Sequence, residues 1–118
     1  MITGYVTVDG VPMLSLPVAG QNWPAILDTG FNGDLELPAT LRSAVNARFQ
    51  GRVLSILASE QQVEEDSYFV DFPFDGQILI AEATFVSTGE ILIGTHLLRD
   101  YRLEIDFRAR TVRLERVP

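Results

Sequence analysis

Apolar and polar positions alternate in short runs along most of this chain, and turn-forming dipeptides interrupt those runs at regular intervals. The opening stretch ITGYVTVDGVPMLSLPV reads as a hairpin, with Val8-Asp9-Gly10-Val11 supplying a two-residue turn in which Gly10 takes a positive φ. A second turn at Ala19-Gly20-Gln21-Asn22 leads into a strand over Trp23-Pro24-Ala25-Ile26-Leu27. Further strands are expected at 35–38, 49–58, 66–74, 78–86, 91–93, 102–107 and 111–116. Turns are signalled at Phe74-Asp75-Gly76-Gln77, Ser87-Thr88-Gly89-Glu90 and Arg108-Ala109-Arg110. Spacing of this regularity predicts an all-β barrel or sandwich.

Two segments depart from the alternation and predict short helices. In PATLRSAV, Pro38 suits a first helical position, and Leu41 and Val45 share a face. In GTHLLRDY, Thr95 can cap a helix that turns Leu97, Leu98 and Tyr101 inward and leaves His96 on its surface. Trp23 is assigned to the core or its rim, and the strand aromatics Phe69, Phe72, Phe74 and Phe85 to the core. The run Glu64-Glu65-Asp66 reads as a solvated loop or strand tip.

Composition narrows the classes. The chain's 118 residues, 47% hydrophobic, fit one globular domain over 1–118 that buries roughly two-thirds of its unfolded surface. A net charge of −7 argues against nucleic acid as a partner. Arg99, Arg102, Arg108, Arg110 and Arg113 alternate with Glu104, Asp106 and Glu115 and so form no phosphate track. The absence of cysteine excludes disulfides and thiolate chemistry, and His96 has no other His or Cys with which to hold a metal. With no signal-like opening and no long apolar run, no membrane association is expected, and the location expected is cytoplasmic.

The informative stretch is AILDTGFNG, residues 25–33, where a carboxylate closes an apolar strand entering the core. Burying an ionised group costs several kcal/mol, on the order of its desolvation penalty, unless it is hydrogen-bonded, paired or protonated. Asp28 is therefore a turn residue capping backbone amides two positions on, or it does chemistry. Context favours chemistry: the triplet Asp28-Thr29-Gly30 is followed by a Gly-containing loop, the strand Leu35-Glu36-Leu37-Pro38, and later by Ile91-Leu92-Ile93-Gly94-Thr95-His96-Leu97-Leu98.

This ordered pair of motifs resembles the retropepsin-like aspartic proteases. The resemblance implies a closed β-barrel carrying one catalytic half per chain, with one or two short helices and no cofactor or metal. It makes Asp28 the catalytic carboxylate and implies a homodimer, since two carboxylates must share one proton and the sequence offers only one such triplet. Thr29 would brace the facing chain, Gly30 would let the backbone pass close to substrate, and Gly94 would permit close packing behind the motif. Peptides or unfolded protein segments would lie under a flap built from 53–58 and 67–70, joined through 59–66. Phe31, Asn32, Gly33, Ala58 and Ser59 are the expected substrate contacts. Family flaps commonly place glycine near the tip, where this chain has Ser59-Glu60-Gln61, and Phe31 stands where a small residue is usual. Those two departures leave an alternative: an inactive dimeric peptide-binding or assembly module of the same fold.

Overall fold

The computed structural model describes all 118 residues. Its strands are β1 (Ile2–Val6), β2 (Pro12–Val18), β3 (Gln21–Leu27), β4 (Leu35–Pro38), β5 (Arg48–Ile56), β6 (Gln62–Phe74), β7 (Gln77–Val86), β8 (Ile91–Ile93), β9 (Tyr101–Asp106) and β10 (Thr111–Arg116). All ten belong to one sheet, ordered β5-β6-β7-β4-β8-β3-β2-β1-β10-β9. The all-β expectation holds.

The sheet does not close. β5 and β9 are unpaired edges, so strand pairing does not complete the closed barrel that the resemblance implies. Twist curls the sheet instead, bringing β2 against β6 although β7, β4, β8 and β3 lie between them in the pairing order. Charged side chains guard the β9 edge, where Arg102 meets Glu104 at 3.3 Å, and charge of this kind discourages further pairing.

Turn chemistry fixes the hairpins. Ala19-Gly20 and Asp75-Gly76 connect β2–β3 and β6–β7 as two-residue turns, and all four residues have positive φ (52°, 79°, 54° and 74°). Positive φ at both central positions matches the twist of the flanking strands. β3 therefore begins at Gln21, two residues before the sequence places it. The first hairpin also differs, because Val6 pairs with Pro12 and leaves a five-residue loop over 7–11. Thr7 organises that loop: its carbonyl accepts from Gly10 N (2.9 Å), its amide donates to Val11 O (2.9 Å), and its hydroxyl accepts from Val11 N (3.0 Å). Gly10 does take the positive φ, at 87°.

Of the two helices expected, one forms, as a 3-10 helix over Ala39–Ala44 that buries Leu41. The segment after Gly94 is a series of turns, with Leu98 N bonded to Thr95 O (3.1 Å) and Tyr101 N to Leu98 O (2.9 Å). It still points Leu97 and Leu98 into the core. No helix here is long and apolar enough to cross a membrane.

Strand alternation builds the core. Along β6, Tyr68, Val70, Phe72 and Phe74 face inward to meet Leu14, Leu16 and Val18 of β2 and Leu35 and Leu37 of β4. Phe69 falls between them in the alternation and is 37% exposed, so it lies outside the core to which the sequence assigned it. Phe85 and Trp23 pack against the core from its margin. Phe72 is fully buried, and Phe72→Ala is expected to cost about 3–5 kcal/mol, measured as a lowered midpoint in urea unfolding. A loss under about 1 kcal/mol would show that the core does not depend on it.

Candidate active site

β8 sits between β3 and β4, parallel to β3 through Ala25↔Ile91, Ile26↔Leu92 and Leu27↔Ile93 and antiparallel to β4 through Leu35↔Ile93 and Glu36↔Leu92. The chain leaving β3 must therefore arch over the end of β8 to reach β4. Residues 28–34 form that arch, and three backbone bonds pin the strand below to it. Gly94 N donates to Asp34 O (2.9 Å), Thr95 N to Phe31 O (2.8 Å) and His96 N to Gly33 O (3.2 Å).

Asp28 stands where the arch begins. Its amide donates to Ile93 O at 3.0 Å, extending the β3–β8 ladder by one bond, and its carbonyl accepts from Phe31 N at 3.1 Å. Oδ1 accepts from Gly30 N at 2.9 Å, so the turn-capping bond and an accessible carboxylate coexist in one residue. The side chain is half-buried, and its second oxygen receives no hydrogen bond from the chain. That oxygen is left without a partner in the chain.

Gly94 passes so close beneath the arch that a Cβ there would lie 2.1 Å from Gly33 O. Phe31 fills the space that two glycines leave: a Cβ on Gly33 or on Gly94 would come 2.7 or 2.8 Å from its ring. The bulky residue after the triplet is thereby accounted for as packing within the arch.

Beside the arch, under the β5–β6 hairpin, lies a cavity of about 160 Å³. Phe31, Gly33 and Glu36 form one side, and Val53, Ser55 and Glu65 of the hairpin form the other. A larger apolar hollow of about 400 Å³, between Ile2, Leu16, Phe74 and Ile78, shares no residue with the Asp28 arch.

Comparison with solved structures places this architecture. It superposes on a retropepsin-like aspartic protease from Rickettsia conorii with a TM-score of 0.68 at 14% identity, covering 98% of this chain and 89% of that one. It also superposes on a foamy viral protease–reverse transcriptase, solved with an RNA/DNA hybrid, with a TM-score of 0.60 at 18% identity. That second match covers 80% of this chain and 13% of the viral one. The chain has a retropepsin-like fold. No family model and no curated protein matches the sequence.

Within this retropepsin-like fold, Asp28, Gly30, Phe31, Gly33 and Gly94 gather at the arch, and Thr29 is exposed beside Asp28. Asn32 is exposed on the arch and does not line the cavity. Ala58 and Ser59 lie exposed at the hairpin tip, and the cavity wall is made by Val53, Ser55, Glu65 and Ser67 in their place. At that tip the left-handed position that glycine takes without strain is occupied by Glu60 (φ 64°), closed by bonds from Glu60 N to Leu57 O and from Leu57 N to Gln61 O. β6 begins at Gln62, so Glu64, Glu65 and Asp66 are strand residues and not a loop.

Asp34 escaped the sequence reading. Its buried carboxylate accepts from Glu82 N (2.9 Å) and lies 2.6 Å from His96 Nδ1, tying the arch to β7 and to the turns after β8. His96 thus lies on the surface as expected, 58% exposed, but in a turn and not a helix, and its ring braces Asp34. No local signal marks the pair, whose members are 62 positions apart. His96→Ala should lower unfolding free energy by about 1–3 kcal/mol, the cost of leaving a buried acceptor without its partner. Unchanged stability in that variant would remove the brace.

Glu36 also went unread. Burial, then the neighbouring charges of Glu65 and Asp28, push its pKa above the ordinary value of 4.5. A raised folded-state pKa gives stability that is complete below 4.5 and lost as pH rises through the folded value. Glu36→Gln should therefore raise the melting temperature at pH 7 and leave it nearly unchanged at pH 4, by calorimetry at both pH values. An equal shift at the two would show that charge is not the cause.

Proposed function

We propose that this protein is an aspartic endopeptidase that works as a homodimer, with residues 1–118 forming one unit that supplies half of the active site. The observation that carries this reading is Asp28, seated at the end of β3 against Ile93 in a retropepsin-like fold, with one carboxylate oxygen unengaged. The sequence has one Asp-Thr-Gly, and hydrolysis by this route uses two carboxylates, so the second comes from the same position of another copy.

The chemistry follows from putting two such groups together. Carboxylates about 3 Å apart cannot both ionise, so the pair holds one proton. The ionised Asp28 takes a proton from a water molecule, whose oxygen attacks the scissile carbonyl carbon. The protonated Asp28 of the opposite subunit gives its hydrogen to the carbonyl oxygen. The resulting gem-diol then collapses: the C–N bond breaks, the leaving nitrogen takes the proton that the first Asp28 gained from water, and a gem-diol hydroxyl returns its proton to the other Asp28 as the new carboxyl group forms. Thr29, exposed beside Asp28, would brace the facing chain, and Gly30 would admit substrate close to the backbone. The β5–β6 hairpin would cover an extended peptide and exclude water. Peptides and unfolded protein segments are the substrate class, and no metal or organic cofactor enters any step.

Phe31 is compatible with activity, because its ring packs over Gly33 and Gly94 and forms a wall of the cavity. The rival reading, a peptide-binding module without catalysis, draws on the Glu60 tip.

Asp28→Asn should reduce kcat/KM on a peptide mixture by at least about 10³-fold while leaving folding and dimerisation in place. New peptide termini produced equally by variant and wild type would remove Asp28 from catalysis, and binding without cleavage by the wild type would favour the module. The wild-type rate should follow a bell-shaped pH profile on the acidic side of neutrality. A rate still climbing at pH 9 contradicts a shared proton.

A further inference from the structure

Four carboxylates line the cavity under the β5–β6 hairpin, those of Asp34, Glu36, Glu65 and Glu82, and no basic side chain does. Two are already engaged. Asp34 is held by His96 and by Glu82 N, and Glu82 Oε1 accepts from Gln50 Nε2 at 3.3 Å. The other two are not. Glu36 accepts no hydrogen bond from the chain, and Glu65 accepts only the Ser55 hydroxyl, at 3.0 Å through Oε2.

Strand geometry delivers both to the same space. β4 presents Glu36 on the face it shares with Leu92, away from the core-facing Leu35 and Leu37. In β6, alternation separates the acidic run: Glu64 and Asp66 turn outward to Arg52, at 3.3 and 3.2 Å, and Glu65 turns to the cavity. The hairpin's own arginine thus neutralises the two outward carboxylates and leaves the inward one unpaired. Glu36 and Glu65 repel each other across the cavity, and Asp28 adds to the field on Glu36. A single-sign field in a half-buried cleft favours the cation that would cancel it.

We infer that this cavity is a subsite for an arginine or lysine side chain of the peptide, whose charged head lies between Glu36 and Glu65 and whose methylenes run along Phe31 and Val53. The inference rests on reading the cleft as a peptide site. Nowhere in the chain do three His, Asp or Glu side chains converge as metal ligands, so the two carboxylates are placed as separate acceptors, which a planar or branched donor can bridge. The apolar walls give a long side chain a contact that a bare ion would not use.

The test uses peptide pairs that carry lysine or its uncharged isostere norleucine at each position within three residues of a scissile bond. Cleavage is measured with the full-length wild type, and binding with Asp28→Asn, which retains the cavity. Lysine should be favoured at least about tenfold at one position, in binding and in kcat/KM, and the ratio should collapse in Glu36→Gln and fall in Glu65→Gln. Raised salt should shrink it as well. Cleavage without a lysine preference, or a preference untouched by both variants, overturns the subsite and leaves the protease standing. Lysine-selective binding without cleavage supports the subsite and overturns the protease, and a wild type that neither cleaves nor binds selectively overturns both.

Discussion

The structure depends on one close approach: the backbone of Gly94 runs beneath the 28–34 arch with no room for a side chain, and three amide–carbonyl bonds hold the two segments together. A Cβ at Gly94 would meet backbone, which cannot rotate aside, so the position is fixed by space alone. Everything at the site inherits its coordinates from that contact. β8 can lie between β3 and β4 because its continuation fits under the arch. Asp28 is held in place by Ile93, one residue before Gly94, and Phe31 is held by the hollow that the two glycines create. The proposed chemistry needs a carboxylate placed to within a fraction of an ångström, and a backbone clamp supplies that better than a flexible loop.

Around this clamp the charges divide into those that are neutralised and those that are not. Asp34 is buried, yet it is bonded on both oxygens, so it stiffens the arch at little electrostatic cost. Arg52 gathers Glu64 and Asp66 on the outer face of the hairpin. Glu36 and Glu65 are left facing one another near Asp28 with no cation beside them. Ion pairs elsewhere on the hairpin are closed, whereas these two like charges are left open, and a cationic side chain in the proposed subsite would close them.

How far the sequence alone could carry this reading follows from the range of each interaction. Strands, the Asp75-Gly76 turn and the placement of Asp28 at the end of β3 were legible because alternation, positive φ and a polar residue closing an apolar run are local signals. The five-residue loop at 7–11 was missed because Thr7 satisfies the turn from outside the Asp9-Gly10 dipeptide. The turns after Gly94 mimic a helix in sequence, since burying Leu97 and Leu98 asks for the same spacing, but the amides of Gly94, Thr95 and His96 are already committed to the arch. The His96–Asp34 brace and the Glu36–Glu65 opposition join residues 62 and 29 positions apart, and no local pattern encodes either. Closure of the barrel was not readable for the same reason, since it is decided where β5 and β9 end up and not by what either strand contains.

The division between outward and inward carboxylates on β6 turns on a single step of alternation. Glu64, Glu65 and Asp66 read as one solvated run when taken as composition, and as two different features once the strand is known to begin at Gln62. Had the strand started at 66, as the sequence reading expects, Glu64 and Glu65 would lie in the preceding loop and the hairpin would present no carboxylate to the cavity. A strand's period of two means that a one-residue slip in register would exchange Glu65 for its neighbours, placing Arg52's partners in the cleft and the unpaired carboxylate in solvent. The bulge between Phe49 and Gly51 sets that register, because it shifts the pairing by one residue before Arg52 meets Asp66. The bulge thereby keeps Arg52 on the outer face with Asp66 and sets Val53 opposite Glu65 at the cavity, so a backbone irregularity on the edge strand decides which carboxylate stays unpaired.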